Sequence, residues 1–444
     1  MDKIDFLNKK VLVYGWAKSG RAVYNLLKKW GAKADAYVDN KPDNATGINF
    51  IKTENNFNFV KNYDFIVKNP GISYEKPILK MAVNQKIPIL TEPQVALSAF
   101  HGKIVAVTGS NGKTTTTTLI GKILKKAGFD CEVGGNIGIP VSEIMQRVHI
   151  PQILVLELSS FQLLGMPDVK PTVSVITNLF SPHLNFHHTR KNYLKAVFSI
   201  TKNQNRNNCL VLNGKSKDCL NFGKFSNAKK YYFAEKSQSN ISTYIENGKV
   251  YFNKKIVINI SDIAPIARHN IENILAVITS VKIFNVDNIC IKKILSTFRG
   301  LEHRLEFVGK IKGRIIYNDS KATDIEATQS ALKSFKQKIT LIAGGLDRGN
   351  NFGPLTPYLK NVINMIVYGQ TKYKLKEMAK KVPNIKKLLV VNNLKEAVIK
   401  AKKFSIPGQI ILFSPAAASW DQFPNFEIRG TAFKKMINNE GKWK

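Results

Sequence analysis

The stretch KIVAVTGSNGKTTTTTLIGKILKKAG, residues 103–128, limits the possible folds more than any other segment. An apolar, β-branched run ends at Thr108, a turn of Gly109, Ser110, Asn111 and Gly112 follows, and an apolar helical repeat opens at Lys113. A strand that passes directly into a helix cannot form a hairpin, so the helix crosses over and the strand pairs with parallel neighbours. Backbone N–H groups in such a turn converge with the positive end of the helix dipole and form an anion cradle. Phosphate is the natural guest. Lys113 would reach the outer groups of a phosphate chain, while Thr114, followed by Thr115, offers a hydroxyl to the Mg²⁺ that bridges them. The usual GxxxxGK[ST] spacing needs glycine at position 107, where this chain has Val107, so the loop is a shortened variant.

The same punctuation recurs along the chain. KKVLVYGWAKSGRAVYNLLKKWGA, followed by ADAYVDN, opens a first β-α-β unit. GRIIYNDS, KITLIAGG, VINMIVYG, KLLVVNN and QIILFSPA alternate with amphipathic stretches and make a third set. Short apolar runs alternating with helical periods predict parallel sheets covered on both faces. The expected architecture is α/β with three domains: a Rossmann-like domain over 1–92, a P-loop mononucleotide-binding sheet over 93–299, and a Rossmann-like domain over 300–444. TYIENGKVYFNKKIVINI, with Asn247-Gly248 at its bend, predicts a β-hairpin added to the middle domain.

The first glycine turn, Gly15 to Gly20, sits between a strand and a helix with Asp39 downstream. It lacks the middle glycine of a dinucleotide fingerprint, so alone it reads equally as an ordinary strand-to-helix turn. Glu157 ends the apolar run LVLE, at the strand end where open α/β sheets place ligands, and a lone acid there needs a cation. His183 follows the next strand in the same way. Together with Lys113 and Thr114 these residues predict a metal-phosphate site.

Bulk properties narrow the classes. Four scattered cysteines form no CxxC pair, which predicts neither a zinc site nor a disulfide framework. No apolar run is long enough to span a bilayer and the start has no secretory pattern, so a cytoplasmic protein without membrane insertion is expected. The formal net charge of +36 attracts polyanions. Its lysines are spread over most segments without an arginine-and-aromatic signature, so no dedicated nucleic-acid partner is expected.

TGSNGKTTT, GGNIGIP, LELSSFQL, ARHNIENILA, GLEHRLE, NDSKATD, IAGGLDRG and SPAAASWDQFPNFEIRG together resemble the Mur ligase family, in order and over essentially the whole chain. NDSKATD and SPAAASWDQFPNFEIRG point to its D-glutamate-adding branch. The resemblance implies ATP and Mg²⁺, an acyl-phosphate intermediate, a cytoplasmic step of peptidoglycan synthesis, and a monomer. It assigns Gly15, Lys18, Ser19, Gly20, Asp39, Asn69, Pro70, Gly71 and Asn136 to the substrate UDP-N-acetylmuramoyl-L-alanine. ATP would be held by residues 109–115, Asn270, Arg304 and Asp319, and the metal by Thr114, Glu157 and His183. Lys113, His183 and Lys321 are the expected catalytic groups; Lys321, Thr323, Arg348, Ser419 and the Phe426 backbone are expected to hold D-glutamate. The family's carbamoylated lysine, a further magnesium ligand, falls here on Val197, and Lys195 points away from that position. A second magnesium is therefore expected on Glu157, His183 and water. The alternatives left open are a sister ligase for another amino acid, a non-catalytic nucleotide-binding relative, and a nucleic-acid-associated ATPase.

Overall fold

In the computed structural model, which describes residues 5–39, 48–51, 57–180, 184–268 and 270–439, the alternating pattern becomes three sheets. The first has four parallel strands in the order Lys33–Tyr37, Lys10–Tyr14, Phe65–Lys68, Ile89–Leu90. Val11 and Val13 join one apolar cluster, while Leu12 and Tyr14 join another. Both faces are covered, as a parallel sheet requires. Helix Lys18–Lys29 buries Ala22, Val23, Leu26 and Leu27 along one side, and Gly31, at φ +78°, lets the chain leave it.

The second sheet has nine strands. Strand Lys103–Thr108 lies between Ile153–Glu157 and Val173–Ile176, with Cys131–Gly135 on the outer side of Ile153–Glu157. Strand order reverses at Lys103–Thr108, and ligands of open α/β sheets bind beyond the carboxyl ends of strands at such a point. The expected hairpin is present: Ile241–Glu246 pairs antiparallel with Lys249–Phe252 across Asn247 and Gly248, both with positive φ. A second tight turn at Asn253-Lys254 adds Lys255–Asn259.

The third sheet has six strands, in the order Glu306–Ile311, Arg314–Asn318, Ile410–Phe413, Ile339–Gly344, Val362–Tyr368, Lys387–Val390. All pairs are parallel except the first, an antiparallel edge that the apolar pattern did not announce. Apolar clusters again cover both faces.

The chain divides into two compact units, Met1–Phe298, with the first two sheets, and Arg299–Lys444, with the third. Inside the first unit the sheets are tied by side chains. Lys18 donates to the Gly138 carbonyl at 2.9 Å, Gln146 to the Ala22 carbonyl at 3.1 Å, and the Thr91 hydroxyl to the Gln162 carbonyl at 2.8 Å. Glu92, 2% exposed, accepts the Ser142 N–H; burial pushes its carboxyl up to about 7. Among the described residues no helix is long and apolar enough to cross a membrane.

Candidate active site

The turn after strand Lys103–Thr108 is built by its own sheet. The Ser110 N–H donates to the Asn178 carbonyl at 2.9 Å, and the Asn111 N–H to Asn178 Oδ1 at 2.8 Å. The Asn111 carbonyl in turn accepts from Thr177 Oγ1 at 2.7 Å and Asn178 Nδ2 at 3.0 Å. Both residues directly follow the neighbouring strand Val173–Ile176. Ser110 Oγ accepts the Phe180 N–H and shares a 2.8 Å hydrogen bond with the Tyr193 hydroxyl. Gly109 and Gly112 have φ of +128° and +79°; a Cβ on Gly109 would strike Thr177, and one on Gly112 would lie 2.2 Å from Asn273 Oδ1. Only glycine fits here. Helix Lys113–Lys126 starts at once, with Gly112 as its N-cap and no side chain capping it. By helix geometry its first-turn N–H groups have no partner inside the helix, which leaves them for an anion. The Lys113 ammonium spans the loop, donating to the carbonyls of Gly109 at 2.8 Å and Ser110 at 2.7 Å.

Glu157 stands next to this loop through register, since it pairs with Val107 at the end of the neighbouring strand. Gly135, at φ +100°, lets the adjoining chain turn so closely that Asn136 donates from its backbone to the Glu157 carbonyl at 2.8 Å. The Asn136 side chain donates to Glu157 Oε1 at 3.0 Å. Glu157 is 2% exposed, and Oε2 is buried without a hydrogen-bond partner. An orphan carboxylate oxygen is costly unless a cation meets it. Among the described residues no group of three or more His, Cys, Asp or Glu could hold a metal. Oxygen donors such as the Glu157 carboxylate and the Thr114 hydroxyl are of the kind that suits a hard divalent ion sharing a phosphate chain. His183 lies outside the described residues. Val197 is fully buried in an apolar cluster, whereas Lys195 is exposed.

The first-domain residues converge on the ends of the first sheet. A Cβ on Gly15, at φ +105°, would lie 2.8 Å from Asn69 Cβ, and one on Gly20 would lie 2.0 Å from the Gly15 carbonyl. Gly71 donates its N–H to Asn69 Oδ1 at 3.2 Å. The loop Asn69 to Ile72 is gathered by Lys68, buried beneath it, which donates to the Pro70 and Ile72 carbonyls at 2.9 Å each; burial pulls its amine down to about 8. Asp39 accepts from the Tyr14 hydroxyl at 2.7 Å and from Lys76 at 2.9 Å. Burial pushes that carboxyl up, but these two donors outweigh it and hold it below the ordinary range.

In the Arg299–Lys444 unit the segment after strand Arg314–Asn318 carries Asp319, Lys321 and Thr323. Asp319 is buried, accepting from Ser414 Oγ at 2.7 Å and the Leu305 N–H at 3.1 Å; burial pushes its carboxyl up to about 7. Lys321 donates its N–H to the His303 carbonyl at 2.9 Å, and its ammonium lies 5.5 Å from the centre of the Phe426 ring. Thr323 is half-buried beside it, and Arg304, also half-buried, is close enough to favour the Asp319 anion. Phe426 opens helix Phe426–Asn438, with Asn425 as its N-cap. Ser419 is buried and Arg348 exposed. Asn270 is the N-cap residue of helix Ile271–Ile283 in the other unit.

Three residues that hold these groups escaped the sequence reading. Asn178 clamps the glycine loop. Asn273 is buried against Gly112, with its Nδ2 lacking a hydrogen-bond partner. Arg429, fully buried, donates to the Ala417 carbonyl at 3.0 Å and the Ser320 carbonyl at 2.8 Å, while Ser320 Oγ donates to the Phe426 carbonyl. Asn273 and Arg429 lie within the stretches ARHNIENILA and SPAAASWDQFPNFEIRG, but nothing local in either stretch marks them as supports.

The Mur ligase middle domain family matches residues 107–281, and the Mur ligase, glutamate ligase domain family matches residues 303–417. A UDP-N-acetylmuramoylalanine--D-glutamate ligase from Oenococcus oeni is 57% identical over 444 residues, covering 100% of each chain. Its counterpart from Leuconostoc citreum is 44% identical over 97% of each. The fold resembles that of UDP-N-acetylmuramate-alanine ligase from Thermotoga maritima, with a TM-score of 0.60, 18% identity, and coverage of 96% of this chain and 98% of that one. A MurF ligase from the same organism, solved in complex with ADP, gives 0.55 at 18% identity, covering 98% and 96%.

Proposed function

The chain belongs to the Mur ligase family and is the ATP-dependent ligase that adds D-glutamate in peptidoglycan precursor synthesis, and from that premise we propose how its own residues carry the reaction. The acceptor is UDP-N-acetylmuramoyl-L-alanine. Its alanyl carboxylate oxygen attacks the terminal phosphorus of ATP, the bond to ADP breaks, and an acyl phosphate forms. The D-glutamate amine then attacks the acyl carbon and loses a proton, and the tetrahedral intermediate expels inorganic phosphate. A carboxylate is a poor acyl donor, so phosphorylation supplies the leaving group, and the protein contributes position and charge.

The observation that carries this reading is the register of Glu157, with its orphan Oε2, beside the turn Gly109 to Lys113. Lys113 and the first-turn N–H groups neutralise the phosphate chain. When bound, Mg²⁺ adds further neutralisation there; Thr114 and Glu157 would hold it, joined by His183. Val197 leaves any second ion to Glu157, His183 and water. Residues 1–92 hold the uridine nucleotide through Gly15, Lys18, Ser19, Gly20, Asp39, Asn69, Pro70 and Gly71, with Asn136 nearer the muramoyl end. Asn270, Arg304 and Asp319 contribute to ATP, and residues 300–444 supply Lys321, Thr323, Arg348, Ser419 and the Phe426 N–H to D-glutamate. The enzyme works in the cytoplasm as a monomer.

Phosphate release from ATP tests the reading. It should require both UDP-N-acetylmuramoyl-L-alanine and D-glutamate, and L-alanine, L-lysine or meso-diaminopimelate should not replace D-glutamate. Equal turnover with one of these would transfer the assignment to a sister ligase.

A further inference from the structure

The Arg348 guanidinium lies over the Trp420 ring, 4.6 Å from its centre. Trp420 is 64% exposed. The face of this open ring is the one the guanidinium occupies, and an indole face is the best aromatic partner for a cation.

The two residues are far apart in sequence, but their loops are tied. Leu346 and Ala418 form an antiparallel bridge, with the Leu346 N–H donating to the Ala418 carbonyl at 2.9 Å. Asp347, just before Arg348, is held by Lys374 at 2.7 Å and accepts the Gly349 N–H at 2.8 Å. Ser419, just before Trp420, is buried, and Asp421, just after it, accepts the Gln370 N–H. Asp347 is thus engaged elsewhere, while Asp421 uses Oδ2 for Gln370 and keeps Oδ1 buried without a hydrogen-bond partner. Among the described residues Arg348 makes no ion pair with a carboxylate. An aromatic face holds a guanidinium in plane without neutralising it, so the donors along its edge keep their charge for a planar anion.

We infer that Trp420 is a positioning residue for the amino-acid substrate: its ring fixes the Arg348 fork in the orientation that receives one carboxylate of D-glutamate. The inference rests on the D-glutamate reading above. Lysine at position 348 would keep the charge but lose the planar fork that the ring orients, so the contribution of Trp420 depends on arginine being there.

The test is a double-mutant cycle on the full-length enzyme, following phosphate release with D-glutamate varied and the other substrates saturating. Trp420→Leu should raise the KM for D-glutamate about fivefold, the effect of losing one exposed cation–π contact, while kcat and the KM for ATP stay within about twofold. Trp420→Phe should restore most of the affinity. In an Arg348→Lys background, Trp420→Leu should raise that KM by less than about half of what it does in wild type. An unchanged KM in Trp420→Leu, or an equal rise in both backgrounds, overturns the inference. Wild-type enzyme that releases no phosphate in response to D-glutamate would instead overturn the functional reading, so the two failures are separable.

Discussion

Two glycine turns in the Met1–Phe298 unit look alike in sequence, and they are held in different ways. The turn Gly109 to Lys113 is braced by its own sheet and the helices on it, through Thr177, Asn178, Tyr193 and Asn273. The turn Gly15 to Gly20 leans on Asn69 within its sheet, but its lysine, Lys18, reaches across to Gly138 beside the neighbouring sheet. The first arrangement fixes a cradle in one place whatever the surrounding parts do. The second ties a binding loop to a joint, so its order depends on how the two sheets dock. Glycine spacing gives the backbone its freedom in both turns; what packs against the glycines decides whether the result is a rigid anion site or a docking element.

The sharpest break in this comparison is Lys113→Ala. Removing the central cation of the self-braced cradle should lower kcat about a thousandfold, roughly 4 kcal/mol of transition-state stabilisation. Binding of the uridine substrate, measured calorimetrically without ATP, should be unchanged. A parallel loss of that binding would mean that the two turns are one coupled site.

The next largest effect concerns the joint. The Glu92 carboxyl titrates near 7 in the folded chain, with burial as the main cause, against an ordinary value of 4.5. The folded state therefore holds its proton more tightly than the unfolded state. The stability this contributes is complete below pH 4.5 and is lost as the pH rises towards 7, on the order of 3 kcal/mol in all. Asp319 is raised in the same sense, so wild type carries both contributions. Thermal unfolding from pH 5 to 8 should show Glu92→Gln gaining on wild type as pH rises. A constant difference between the two proteins would show that Glu92 does not ionise in this window.

The two turns also differ in how far the sequence revealed them. Strand, turn and helix are local, so the apolar periods and glycines of residues 103–128 were enough to read a phosphate cradle, and the alternation of periods was enough for three sheets with parallel cores, though not for the antiparallel edge of the third. The hairpin at Asn247-Gly248 was legible for the same reason. The braces were not. Asn178 and Asn273 act on the loop from distant parts of the chain, and an asparagine carries no period that separates a clamp from a solvated loop residue. Glu92 reads as a first-turn acid on a helix, and only the packing of Ser142 over it makes it a buried joint. The Arg348–Trp420 stack likewise depends on the Leu346–Ala418 bridge.

Asn273 sharpens the self-braced side. Its buried amide fills the space under Gly112, so Asn273→Ala should let the turn relax and lower kcat/KM for ATP about tenfold, near 1.4 kcal/mol, a cost typical of one buried polar contact. Asn273→Asp keeps the shape but sets a negative charge beside a loop that must hold phosphate, and should be worse than alanine. If aspartate were the milder change, shape rather than charge would govern that position.

The smallest effect belongs to Lys18. Its hydrogen bond runs from the exposed start of helix Lys18–Lys29 to exposed Gly138, and water can replace much of it, so Lys18→Ala should raise the KM for the uridine substrate only about threefold, near 0.6 kcal/mol. The direction in other variants is more telling than the size. If the contact acts by docking the first sheet on the second, Glu92→Ala, which removes the buried partner of the Ser142 N–H, should produce the same selective rise, and the double variant should fall short of additivity because either change loosens one joint. If Lys18 instead meets the nucleotide directly, its effect should persist in full in the Glu92→Ala background, and the first turn would then be a charged cradle like the second.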